Sequence, residues 1–151
     1  MQIATWGWLL MVLGAVVIIA LAVYAGMLLA RLQQQNKRRR QAIDKRNANL
    51  LESIVTIAKA MQQEQCPLSE GCLRIVVLLD HMVEQNKPLY SERYPAMHAM
   101  YERIKHMPTH EARKQYPKAE IRRMDNEREG YEKELADDIQ QDVSKLLEQF
   151  R

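Results

Sequence analysis

The chain has 151 residues, 47% of them hydrophobic and 27% charged, and its 22 Lys and Arg against 19 Asp and Glu leave a formal net charge of +3. With 5 Gly, 5 Pro and no repeat or biased tract, it is neither a low-complexity nor a repeat protein, and a single Phe with few β-branched residues beyond the N-terminal stretch argues against a sheet. The modest total hides a steep gradient: residues 1–30 carry no charged side chain, a basic run follows, and the last thirty residues lean acidic.

The apolar stretch comes first. A helix rises about 1.5 Å per residue, and a bilayer core is about 30 Å thick, so the run from Leu9 to Ala30 is long enough to span it. A single segment in hydrocarbon must satisfy its own backbone, which selects a helix. Trp6 and Trp8 sit where interfacial rings are favoured. The opposite flank carries Arg31, Lys37, Arg38, Arg39, Arg40, Lys45 and Arg46, opposed only by Asp44. The excess of positive charge predicts an N-terminus outside the cytoplasm and residues 31–151 inside it. The same basic residues suit anionic lipid headgroups, which makes membrane lipid a predicted partner. Ala20-Leu21-Ala22 resembles a signal-peptidase site, but the basic n-region and short apolar core of a signal peptide are missing. Within the span, Ala22, Gly26 and Ala30 recur every four residues, a spacing that lets two helices approach closely and offers a route to a homodimer.

Residues 31–41 read as a basic juxtamembrane extension of the span, and residues 42–151 as one helical cytosolic domain. Ile43, Leu50, Leu51, Ile54, Val55, Ile57, Ala58 and Met61 follow helical spacing from Ala42 to about Gln65, where Pro67 stops them. A second helix is expected from about Ser69, capped there, to Asn86. Its Leu73–Leu79 centre is apolar on more than one face, and the Ile-Val-Val run leaves a buried strand as the competing assignment. Pro95 then opens a short helix bearing Met97, Met100, Tyr101 and Ile104. Met107-Pro108 ends it, and Thr109 is placed to cap another short helix reaching Tyr116. Finally Ile121, Met124, Tyr131, Leu135, Ile139, Val143, Leu146, Leu147 and Phe150 trace a long amphipathic helix, weakened at Gly130 and with its stripe interrupted by Arg128. The fold class is therefore all-α: one N-terminal transmembrane helix, then a cytosolic bundle of four or five helices ending in a long amphipathic helix.

Two segments, Cys66-Pro-Leu-Ser-Glu-Gly-Cys72 and Met107-Pro-Thr-His-Glu-Ala-Arg113, complete a pattern with the N-terminal span and the charged last helix. On these the chain resembles, over nearly its full length, a family of small single-pass inner-membrane proteins of gammaproteobacteria described only as a domain of unknown function. The resemblance implies a bacterial inner membrane and supplies no activity, cofactor or catalytic residue.

Chemistry-bearing residues are few. Cys66, Cys72, His106 and His110 form a chemically valid tetrahedral zinc set. Their C-x5-C and H-x3-H spacings are looser than a zinc knuckle, and Pro108 parts the histidines. A thiol switch is the related reading, since a helix N-terminus and Arg74 would lower the Cys72 pKa. His110-Glu111 begins like a metalloprotease motif but meets Lys114 where the second histidine belongs, and no nucleophile elbow, P-loop or dinucleotide fingerprint occurs. His81 and His98 read as core or boundary residues, and the methionines as core filler. The expectation is a protein without enzymatic activity or bound cofactor: a membrane-anchored helical module that binds another protein. A metal or thiol sensor and a membrane-localised nucleic-acid binder are the alternatives. Nucleic acid is the weaker partner because no interleaved aromatics support the basic run.

Overall fold

The computed structural model describes the backbone of residues 2–84 and 87–150, and the side chains among them from Trp6 onward apart from that of His110. All assigned elements are helices: α1 Gln2–Gln62, α2 Leu68–His81, α3 Tyr90–Arg93, α4 Pro95–Ile104, α5 His110–Arg113 and α6 Lys118–Gln149. The expected all-α class is the observed one, and the apolar run 75–77 is helix rather than strand. The chain divides into two compact units, one ending at Asp44 and one beginning at Lys45.

The first unit is a single stretch of α1. Among the described residues of this unit nothing covers its apolar side chains: Trp6, Leu10, Leu13, Ile18, Leu21 and Leu29 are all largely exposed. The helix does not pause at residues 31–41, so the polar, basic segment is helical as well.

The second unit is a small bundle. The end of α1 contributes Ile54, Ala58 and Met61 to its core, α2 contributes Cys72, Ile75, Val76 and Leu79, α4 contributes Met97, Met100 and Ile104, and α6 contributes Ile139, Val143 and Leu146. Each set repeats at three or four residues, so each helix buries one stripe. Helix α4 packs against both α2 and α6. At Gly71, α2 lies so close to α1 that an added Cβ would overlap the Met61 side chain.

Helix α1 ends in a Schellman turn. Gln65 N–H donates to the Ala60 carbonyl at 2.8 Å, Glu64 N–H donates to Met61 at 3.2 Å, and Glu64 takes φ 55°, the left-handed position usually given to glycine. Helix α2 stops at His81, short of the expected Asn86. The reason is competition from α1. Arg46 donates to the His81 carbonyl at 3.2 Å, while Asn47 binds both backbone groups of Val83, accepting from its N–H at 3.1 Å and donating to its carbonyl at 2.8 Å. Those bonds hold the chain extended from Met82.

The expected side-chain caps at Ser69 and Thr109 are not formed: α2 begins after Pro67 and α5 after Thr109 without a side-chain cap bond. Helix α6 supplies what α2 lacks. Glu132 accepts from the Ser69 N–H at 3.1 Å. Ten residues further along α6, buried Asp142 accepts from Ala96 N–H at 2.8 Å and Met97 N–H at 3.3 Å, capping α4 behind Tyr94 and Pro95. The Tyr94 hydroxyl donates to Gln149 at 2.6 Å, a third tie to the same helix.

Candidate functional site

Three features of the chain bear chemistry: the charged flank of the apolar helix, the cysteine–histidine set, and a cleft lined by arginines. In α1, Arg31, Lys37, Arg38, Arg39, Arg40 and Lys45 are all exposed. Successive helical residues step by about 100°, so the four consecutive positions 37–40 encircle the axis instead of forming one basic face. An in-plane amphipathic helix would gather its charges on one side. Arg46 departs from the group, because its guanidinium is engaged with the end of α2. Ala22, Gly26 and Ala30 lie exposed on the same helix, and nothing comes within 4 Å of a Cβ built on Gly26. Among the described residues, α1 is long and apolar enough to cross a membrane by length and composition.

The four residues of the zinc set are placed as follows. Cys72 is fully buried in the bundle. Cys66 is half-buried just before α2, its Sγ 3.6 Å from the Pro67 carbonyl oxygen. His106 is exposed beyond the end of α4, and the His110 side chain lies outside the described residues. No group of three or more metal-ligating side chains comes together among the described residues. The expected lowering of the Cys72 pKa is reversed. Burial pushes that thiol up to about 12, and the carboxylates of Asp142 and Glu132 push the same way. Burial and Glu70 likewise raise Cys66, against a smaller pull from Arg74. Proximity to a helix N-terminus is outweighed because the thiol faces the core, where a thiolate loses its water.

The cleft lies in the second unit, among the start of α2, the connection from α4 to α5, and the first turns of α6, and it encloses about 360 Å³. Leu73, Ile104, Met107 and Met124 give it an apolar lining. Around this sit three arginines, each from a different helix: Arg74, Arg113 and Arg128. Arg74 pairs with Glu70 at 2.5 Å and Arg113 with Asp125 at 2.6 Å. The Arg113 guanidinium holds the Asp125 carboxyl below its ordinary range. Arg128 is different. It approaches Asp125 only at 3.6 Å, and its Nε is buried with no acceptor. Sequence reasoning missed this cleft. Its one visible signal is the arginine that interrupts the apolar stripe of α6.

Residues 18–146 match the family described as "Protein of unknown function (DUF2489)". The chain belongs to that family. The match begins inside the apolar part of α1 and reaches nearly to the end of α6, so it takes in the basic segment and the cleft. A Haemophilus influenzae protein named only "Uncharacterized protein" is 38% identical over 144 residues, covering 95% of each chain. The gammaproteobacterial family expected from the two short segments is thus the one found. No solved structure matches the chain.

Proposed function

We propose that this protein is a single-pass inner-membrane protein. Its α1 anchors the second unit at the cytoplasmic face, where that unit serves as a helical interaction module for another protein. The observation that carries this reading is the uninterrupted passage, within one helix, from uncovered apolar residues to a ring of exposed basic ones. Uncovered side chains such as Leu10, Ile18 and Leu29 would cost roughly 1.5–3 kcal/mol each in water relative to burial, which lipid removes. A ring of basic charge at one end sets orientation by the positive-inside bias and meets anionic headgroups. The reading assigns no reaction and no cofactor to the bundle.

The test uses the full-length protein in its native membranes. It is expected to stay in the pellet after carbonate extraction, to resist protease added outside intact spheroplasts, and to be digested once the membrane is opened. Release by carbonate, or digestion of the C-terminal domain in intact spheroplasts, refutes the anchor or its orientation. For the interaction role, crosslinking in those membranes is expected to give a discrete adduct with another protein or a second copy, and the absence of any adduct refutes it.

A further inference from the structure

We propose that residues 82–84 form a two-state element: extended while Asn47 of α1 holds Val83, and a further turn of α2 once that hold is released. All the residues involved belong to the second unit, so the element is independent of the membrane reading.

The local sequence favours helix here. The buried face of α2 runs through Cys72, Ile75, Val76 and Leu79, and one more turn at the same three- and four-residue spacing would add Met82 and Val83 to it. Met, Val and Glu are all tolerated in helices, and the helix breaker Pro88 comes only later. The chain nevertheless turns extended at Met82, where ψ is 135°, and Val83 is left 46% exposed. Three contacts hold it there. The Asn47 side-chain amide takes both backbone groups of Val83, which removes the Val83 N–H from the Leu79 carbonyl that a continued helix would offer it. That carbonyl instead receives the Met82 N–H at 3.2 Å. Lys87 Nζ lies 2.7 Å from the Asp80 carbonyl oxygen, the acceptor that the Glu84 N–H would use in an α-helix. Sequence preference and tertiary contact therefore oppose each other at this turn, which is the condition for two competing arrangements. The clasp can open without the core. Asn47 is only half-buried, and among the described residues the first fully buried side chain of α1 is Ile54, about two turns later. The effect reaches α3 and α4. In the extended form Glu84 accepts from the Tyr90 hydroxyl at 2.8 Å, and the Tyr90 ring stacks on Tyr94 with centroids 6.4 Å apart. Three residues shorten by about 5 Å on passing from extended to helical, which draws Glu84 back toward α2 and away from Tyr90. A contact made by α1 is thus felt where α3 begins.

The test is NMR of the isotope-labelled full-length protein in lipid nanodiscs. The native chain is compared with Asn47→Ala, which loses both bonds, and with Asn47→Asp, which keeps the acceptor for the Val83 N–H and loses the donor to its carbonyl. Asn49→Ala, at an exposed position of the same helix, is the control. In the native chain the Cα shifts of Met82, Val83 and Glu84 are expected to be extended. In Asn47→Ala they are expected to move to helical values, and the Glu84 amide to exchange with solvent at least about tenfold more slowly than in the native chain. The core amides of Ile139 and Val143 keep their native protection. Asn47→Asp is expected to move the same shifts part of the way, and Asn49→Ala to leave them where they are. The proposal is overturned if residues 82–84 stay extended in Asn47→Ala, if Asn49→Ala produces the same change, or if the core amides lose their protection in both variants at Asn47, which would make this side chain a structural pin. Where only Asn47→Ala unfolds, the shifts of Asn47→Asp decide by the same criteria.

Discussion

Glu64 holds a backbone conformation that its side chain disfavours. A non-glycine residue in the left-handed region costs about 1–2 kcal/mol, and the Schellman turn at the end of α1 requires it. Glu64→Gly removes that cost while adding freedom to the unfolded chain, so the net gain is expected to be about 0.5–1 kcal/mol, read as a higher urea midpoint for the detergent-solubilised protein. Cys72 gives a pH dependence. Its folded pKa of about 12 lies above the unfolded 9.0, so between those values the unfolded chain binds fewer protons and stability falls as pH rises. The contribution is complete below about pH 9 and is lost toward pH 12. The stability advantage of wild type over Cys72→Ala should therefore shrink as alkaline denaturation series move above about pH 9. An advantage constant with pH would contradict the burial argument. The same thiol is expected to be inert to alkylating reagents until the bundle unfolds.

Two carboxylates on α6 cap two other helices, and this governs the element scale. Asp142 is 2% exposed and accepts two backbone N–H bonds at the start of α4. Asp142→Ala leaves both donors buried and unpaired and is expected to destabilise the fold by about 2 kcal/mol or more in urea titrations. Glu132 is itself only half-buried, so Glu132→Ala removes a single bond that water can partly replace and should cost about 1 kcal/mol or less. Equal losses would show that the two caps do not differ as their burial implies. The glycines of the helices divide in the same way. Gly130 in α6 has open space around it, so Gly130→Ala should stabilise by up to about 1 kcal/mol. Gly71→Ala drives a methyl group into buried Met61 and should destabilise by about 1–3 kcal/mol. Thermal melts of the two variants should move in opposite directions.

Legibility in the sequence follows the range of each interaction. The stripe Ile139, Val143 and Leu146 is visible because helical period is local, and the same holds for Ile54, Ala58 and Met61. The caps are not visible, because Glu132 and Asp142 act on residues 63 and 46 positions away. Ser69, the residue that local rules choose as a cap, is instead a buried recipient of one. The end of α2 was misplaced for a related reason: nothing near Val83 in the chain announces that Asn47 will take its hydrogen bonds. The cleft was least legible. Arg128 reads as a fault in an apolar stripe until Arg74 and Arg113 arrive beside it from other helices.

At the scale of the whole molecule, the charge gradient makes a prediction on the proposed orientation. Replacing Arg38, Arg39 and Arg40 with Gln and placing Lys at Ile3, Ala4 and Thr5 moves positive charge to the other end of the apolar helix. A C-terminal alkaline phosphatase, active only outside the cytoplasm, should then gain activity severalfold over the same fusion to the native chain. Unchanged activity would mean that these charges do not set the orientation. The caps that α6 lends to α2 and α4 also bear on the order of events during translation. A ribosome releases both helices with bare amino ends, and the carboxylates that quiet them are still to be decoded. The two caps are therefore complete only once α6 has been made, and a chain cut short just before Asp142 keeps the bond at Ser69 but leaves the backbone donors of Ala96 and Met97 without their carboxylate.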